Sequence, residues 1–71
     1  MSTSTLLYEA LELKYRAQIA EAKATLSIYF ENSVGIGEHP QHLEEMDKLI
    51  ERRANAQDKL ENLEQFYKYE I

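Results

Sequence analysis

The sequence predicts an all-α protein, an antiparallel helical hairpin, and three observations carry that prediction. Both glycines and the only proline fall in one stretch, Asn32-Ser33-Val34-Gly35-Ile36-Gly37-Glu38-His39-Pro40. The segments on either side are rich in Ala, Leu, Glu, Lys, Gln and Arg, which are good helix formers. Apolar residues in both segments recur at spacings of three and four, which is the period of a helix and not the alternation of a strand.

Helix 1 is expected over about residues 5–31, with a Ser or Thr among residues 2–5 as its N-cap. Its stripe is Tyr8, Leu11, Tyr15, Ile19, Ala22, Leu26 and Tyr29. Asn32 is the expected left-handed C-cap, with Gly35 as the alternative. The loop then occupies 32–39. Two glycines flanking Ile36 imply a positive φ at Gly35 or Gly37, and Val34 or Ile36 is expected to fold back onto Phe30 or Leu43. Helix 2 is expected over about 40–69, with Pro40 at the first position, where its missing N–H costs nothing. Its stripe is Met46, Leu49, Arg53, Ala56, Leu60, Leu63 and Tyr67. Glu12–Arg16, Glu44–Lys48 and Glu64–Lys68 are i,i+4 pairs with the acid first, and they mark outward faces.

Matched helix lengths and one short connection make the pair antiparallel. Tyr29 and Phe30 then fall near Leu43 and Met46, and Leu7, Tyr8 and Leu11 near Leu63, Phe66 and Tyr67. Ala17, Ala20, Ala22, Ala24, Ala54 and Ala56 gather at the waist, where small side chains let the helices approach. Leu6, Leu7, Leu13, Ile28, Phe30, Leu43, Ile50 and Phe66 lie off the main stripes and widen the apolar arc beyond a two-helix seam. Small scaffolds without a disulfide or metal gain stability by oligomerising, so a twofold dimer closing a four-helix bundle is expected.

Composition bounds the function. Seventy-one residues form one domain at most, and the absence of cysteine excludes disulfides and thiolate metal sites. No apolar run approaches the length of a membrane span, and no signal pattern opens the chain, so a soluble cytoplasmic protein is expected. The formal net charge is −5. Residues 40–71 carry eight acids and five bases, and 1–31 carry four and three. No basic stripe is visible, which disfavours nucleic acid as a partner.

Catalytic chemistry has little to work with. His39 and His42, with Glu38 or Glu45, stand at a spacing that suits a zinc or nickel site. The plainer reading makes His39 an N-cap beside Pro40 and His42 a solvated first-turn residue. Glu44, Glu45 and Asp47 offset the helix dipole. The Glu plus Glu-x-x-His di-iron pattern is absent, and Glu9, Glu12 and Glu21 read as a solvated face. No Ser-His-Asp arrangement can be assembled. Gly35-Ile36-Gly37 lacks the preceding strand and the spacing of a phosphate loop. No enzyme activity, cofactor or metal is therefore expected. Arg53 falls on the helix 2 stripe; either it snorkels with its stem packed, or it pairs with Glu21 or an acid of a partner chain. Tyr8, Tyr15, Tyr29 and Tyr67 read as core with wet hydroxyls, while Tyr69 reads as an oligomer or docking contact.

The stretch Val34-Gly35-Ile36-Gly37-Glu38-His39-Pro40 and the later Ala54-Asn55-Ala56-Gln57-Asp58-Lys59-Leu60 resemble short accessory proteins of T4-type tailed phages. That resemblance spans roughly residues 15–66 and implies a phage product working inside a host cell against a host or phage protein. It transfers no functional residue. In architecture the chain also resembles the plasmid copy-number regulator Rop, a hairpin that dimerises and binds RNA. Its basic RNA-contacting face has no counterpart here, so the likeness is one of shape. The expected function is protein–protein contact by a small non-enzymatic helical protein, with a Rop-like dimeric nucleic-acid-associated regulator as the alternative. The candidate surface is Val34, Ile36, Glu38, His39, Glu44, Glu45 and Tyr69.

Overall fold

The computed structural model describes residues 2–31 and 41–71. They form two helices, α1 (Thr3–Glu31) and α2 (Gln41–Glu70), packed against each other as an antiparallel hairpin. The hairpin is a rod with extents of 51 × 18 × 13 Å. The expected turn geometry at Gly35 and Gly37, the Asn32 cap and the Pro40 start lie outside the described residues.

Helix α1 begins at Thr3 because Ser2 caps it. The Ser2 Oγ accepts the Thr5 backbone N–H at 3.1 Å, and the Ser2 carbonyl accepts the Leu6 N–H at the same distance. Such a cap is worth about 1 kcal/mol, since it satisfies a donor that the helix itself leaves open. In α2, Glu44 in the first turn and Lys68 in the last both oppose the helix dipole. Thr25 and Ser27 return their hydroxyl protons to the carbonyls of Glu21 and Lys23, each at 2.9 Å, and so sit inside α1 without an open donor.

The core is a single seam. Ala22, Leu26, Leu49 and Ala56 are its buried residues, and Tyr8, Tyr15, Ile19, Tyr29, Met46, Leu60, Leu63 and Tyr67 are half-buried beside them. Along α1, Thr5, Tyr8, Glu12, Tyr15, Ile19, Ala22, Leu26 and Tyr29 follow a regular alternation of three and four, with Gln18 and Thr25 also half-buried at its edge. That is a heptad repeat, the pattern of two helices meeting along one line.

This seam corrects the expected stripe in three places. Glu12, not Leu11, occupies the inward position; Leu11 is 38% exposed. The Glu12 end of the Glu12–Arg16 pair therefore faces the partner helix and not open solvent. The alanine waist also narrows to two residues. Ala22 and Ala56 are buried, whereas Ala17, Ala20, Ala24 and Ala54 are exposed, because a seam between two helices takes one side chain per half-heptad and leaves the neighbouring alanines outside. His42 is half-buried against Tyr29, with ring centroids 5.8 Å apart, and is not a solvated first-turn residue.

Candidate interaction surface

At the open end of the hairpin, where the chain termini lie, the seam closes with a polar and aromatic cluster. Tyr8 of α1 and Tyr67 of α2 stack with centroids 4.4 Å apart at 41°. Thr5 and Tyr67 share a hydroxyl–hydroxyl hydrogen bond at 3.2 Å. The Tyr8 hydroxyl points to the Glu12 carboxylate at 3.5 Å, and Arg16 lies 3.6 Å from Glu12 and 3.9 Å from Glu64 across the seam. Glu12 is thus tolerated inside because a cation and a hydroxyl share its charge. Arg16 also ties α1 to α2, a role that Glu64–Lys68 spacing along one helix does not reveal.

The two stacked phenols are polarised in opposite directions. Desolvation, with the nearby Glu12 and Glu64 carboxylates and the Tyr8–Glu12 contact, raises the Tyr8 pKa above the usual phenol value, and Arg16 only partly offsets this. Hydroxyl hydrogen bonds from Thr5 and then Ser4 stabilise the Tyr67 phenolate and lower its pKa, against desolvation and Glu9. Together the two phenols clasp the open end of the hairpin. Among the described residues no group of three metal-binding side chains converges. His39 and Glu38 lie outside the described residues.

Two grooves flank the seam. One, of about 290 Å³ at the open end, has Tyr8, Leu63 and Tyr67 as its floor and Leu7, Leu11 and Phe66 as its walls. The other, of about 380 Å³ nearer the loop, combines Leu26, Phe30 and Ile50 with Lys23, Arg53 and the carboxylate of Glu31. Arg53 is exposed and forms no ion pair among the described residues, so its stem packs and its head reaches water. Pairing with Glu21 does not occur.

Of the expected contact residues, Val34, Ile36, Glu38 and His39 lie outside the described residues. Glu44 and Glu45 are exposed at the start of α2, where Lys48 sits 3.8 Å from Glu45 and not on Glu44. Tyr69 is 75% exposed, with the Lys68 ammonium 5.3 Å from its ring centre. The structure therefore does not gather Glu44, Glu45 and Tyr69 into one site; they stand at opposite ends of α2. The walls of the two grooves are what the sequence reading left off its surface. Leu7 and Phe66 were already read as off the main stripes and Leu11 as on one, and only the choice of seam register places the three beside one another.

No family model matches the chain, and comparison with curated proteins and with solved structures finds no match. No helix among the described residues is long and apolar enough to cross a membrane.

Proposed function

We infer that this chain is a small non-enzymatic helical protein that acts through protein–protein contact, and that its first partner is a second copy of itself. One observation carries this reading. Among the described residues eleven large apolar side chains are exposed, from Leu11 at 38% to Tyr69 at 75%, against four buried residues in the seam. Soluble chains that work alone rarely present contiguous apolar surface on this scale. Association covers it, at an entropic cost of several kcal/mol that a few hundred Å² of buried apolar area offsets at about 25 cal/mol/Å². The resemblance at 34–40 supplies the setting of the proposal, an accessory product of a tailed phage working in the host cytoplasm.

Light scattering after gel filtration, together with thermal melts over a hundredfold dilution, tests the reading. A dimer mass and a melting point that falls on dilution are expected, because stability of an associating chain follows its concentration. A monomer mass with a melting point independent of dilution overturns it.

A further inference from the structure

The charged side chains of the loop-end groove are not spread evenly along it. Counting from Tyr8, which stacks on Tyr67, fifteen residues along α1 reach Lys23, and fourteen back along α2 reach Arg53. At about 1.5 Å per residue the two cations stand level, one on each helix, at the end of the groove nearer the middle of the rod. Leu26 and Ile50 come next, level with each other by the same count, and buried Leu26 makes the floor. Phe30 stands about 10 Å beyond Lys23 as the far wall, and Glu31 follows at about 12 Å. The groove thus runs from a cationic end over an apolar floor to one carboxylate.

Two features point to a ligand. Neither Lys23 nor Arg53 forms an ion pair among the described residues, although the chain holds thirteen acids against eight bases. The neighbouring acids are placed elsewhere. Glu64 is on Arg16, Asp47 lines no part of the groove, and Glu21 projects from the opposite side of α1 by helical spacing. Two level, unpaired like charges repel, and an anion between them removes the repulsion and accepts charge-assisted hydrogen bonds from both. The second feature is the contrast with the open-end groove, whose lining holds no charged side chain among the described residues. That groove offers an apolar body no place for a charged head; the loop-end groove offers both.

We propose that the loop-end groove binds a single-chain amphipathic carboxylate, its head between Lys23 and Arg53 and its apolar body on Leu26 and Ile50, reaching toward Phe30. The volume of about 380 Å³ lies near the lower end of the ~300–1,000 Å³ of small-molecule sites, which suits one narrow chain. Glu31 sets the direction. It stands in the last turn of α1, where the helix dipole is negative, so the far end of the groove rejects a second anionic group. The ligand is therefore charged at one end only. This inference goes beyond self-association and does not depend on it.

Decanoate, below its micelle-forming concentration, tests the site by NMR titration of the backbone amides. It is expected to shift the amides of Lys23, Ser27, Ile50 and Arg53. Decyltrimethylammonium, with the same body and the opposite head, and decanedioate, with a head at each end, are expected to bind about tenfold or more weaker. K23Q/R53Q is expected to lose a similar factor for decanoate, and E31Q to narrow the gap between decanedioate and decanoate. Circular dichroism confirms that the variants are helical, and the comparison of the three ligands on the wild type needs no variant. Equal binding of decanoate and decyltrimethylammonium, or shifts centred on Leu7, Leu11 and Phe66, overturns the site, because the apolar body alone is then being taken up. A wild type that shows no shift with decanoate overturns it as well, and an E31Q chain that leaves the gap unchanged overturns the assigned direction. The mass from light scattering reads self-association separately, so the two readings fail independently.

Discussion

Tyr8 and Tyr67 touch each other yet titrate apart, because one phenol faces carboxylates and the other receives hydroxyl hydrogen bonds. Ultraviolet titration of the phenolates should show Tyr67 ionising before Tyr8, with each step removed by the matching Tyr→Phe variant. The effect on folding has opposite signs. The raised Tyr8 pKa gives stability that is fully present below the ordinary phenol value near 10 and is lost as pH rises through its folded value. The lowered Tyr67 pKa gives stability that is present above that value and is lost as pH falls through its folded value. Tyr8→Phe should therefore make the alkaline fall in stability shallower, and Tyr67→Phe steeper, in denaturant titrations across pH 9 to 11. Equal slopes would remove the distinction. None of this was legible in the sequence, where both residues read as core with wet hydroxyls. The distinction arises from Thr5 and Glu12, which reach them only once the seam register is set.

At the scale of the helices, the seam register decides which substitutions matter. Ala22 is fully buried against α2, and Ala24 two positions on is exposed. Ala22→Leu should destabilise by about 1–3 kcal/mol, as overpacking of a close contact does. Ala24→Leu should change stability by less than about 0.5 kcal/mol, and urea melts of the two variants compare them directly. A similar loss in both would mean that the helices do not meet at Ala22. The helices themselves were legible, because good helix formers and a single cluster of Gly and Pro leave few other readings. Most of the seam was legible too, from Tyr15 and Ile19 through Leu26 and from Leu49 to Tyr67. Leu11 was mistaken for an inward residue because spacings of three and four admit two neighbouring registers, and an apolar residue is the natural choice between Leu11 and Glu12. A charged residue inside a seam is recognisable only through its cross-helix partner, here Arg16 with Glu64. The exposed alanines were misplaced for a related reason, since a methyl group is equally at home on either side of a helix.

At the scale of the molecule, the two grooves lie on different faces and should separate self-association from any other contact. Phe30→Ser, in the loop-end groove, and Phe66→Ser, in the open-end groove, separate the two faces in light scattering: the variant that lowers the dimer mass toward the monomer marks the face of self-contact, and a mass unchanged in both removes the grooves from it. The hairpin also dictates an order of assembly. Contacts near the loop, such as Tyr29 with His42, close a short stretch of chain, while Thr5 with Tyr67 joins residues 62 positions apart. Loop closure makes the second contact costlier by roughly 1.4 kcal/mol if formed first, so the seam zips from the loop outward. The Tyr8–Tyr67 clasp then forms last and opens first, and the groove walled by Leu7 and Phe66 belongs to the end that breathes most readily. A binder that grips this groove would hold the zipper shut from its free end, slowing unfolding far more than it speeds folding.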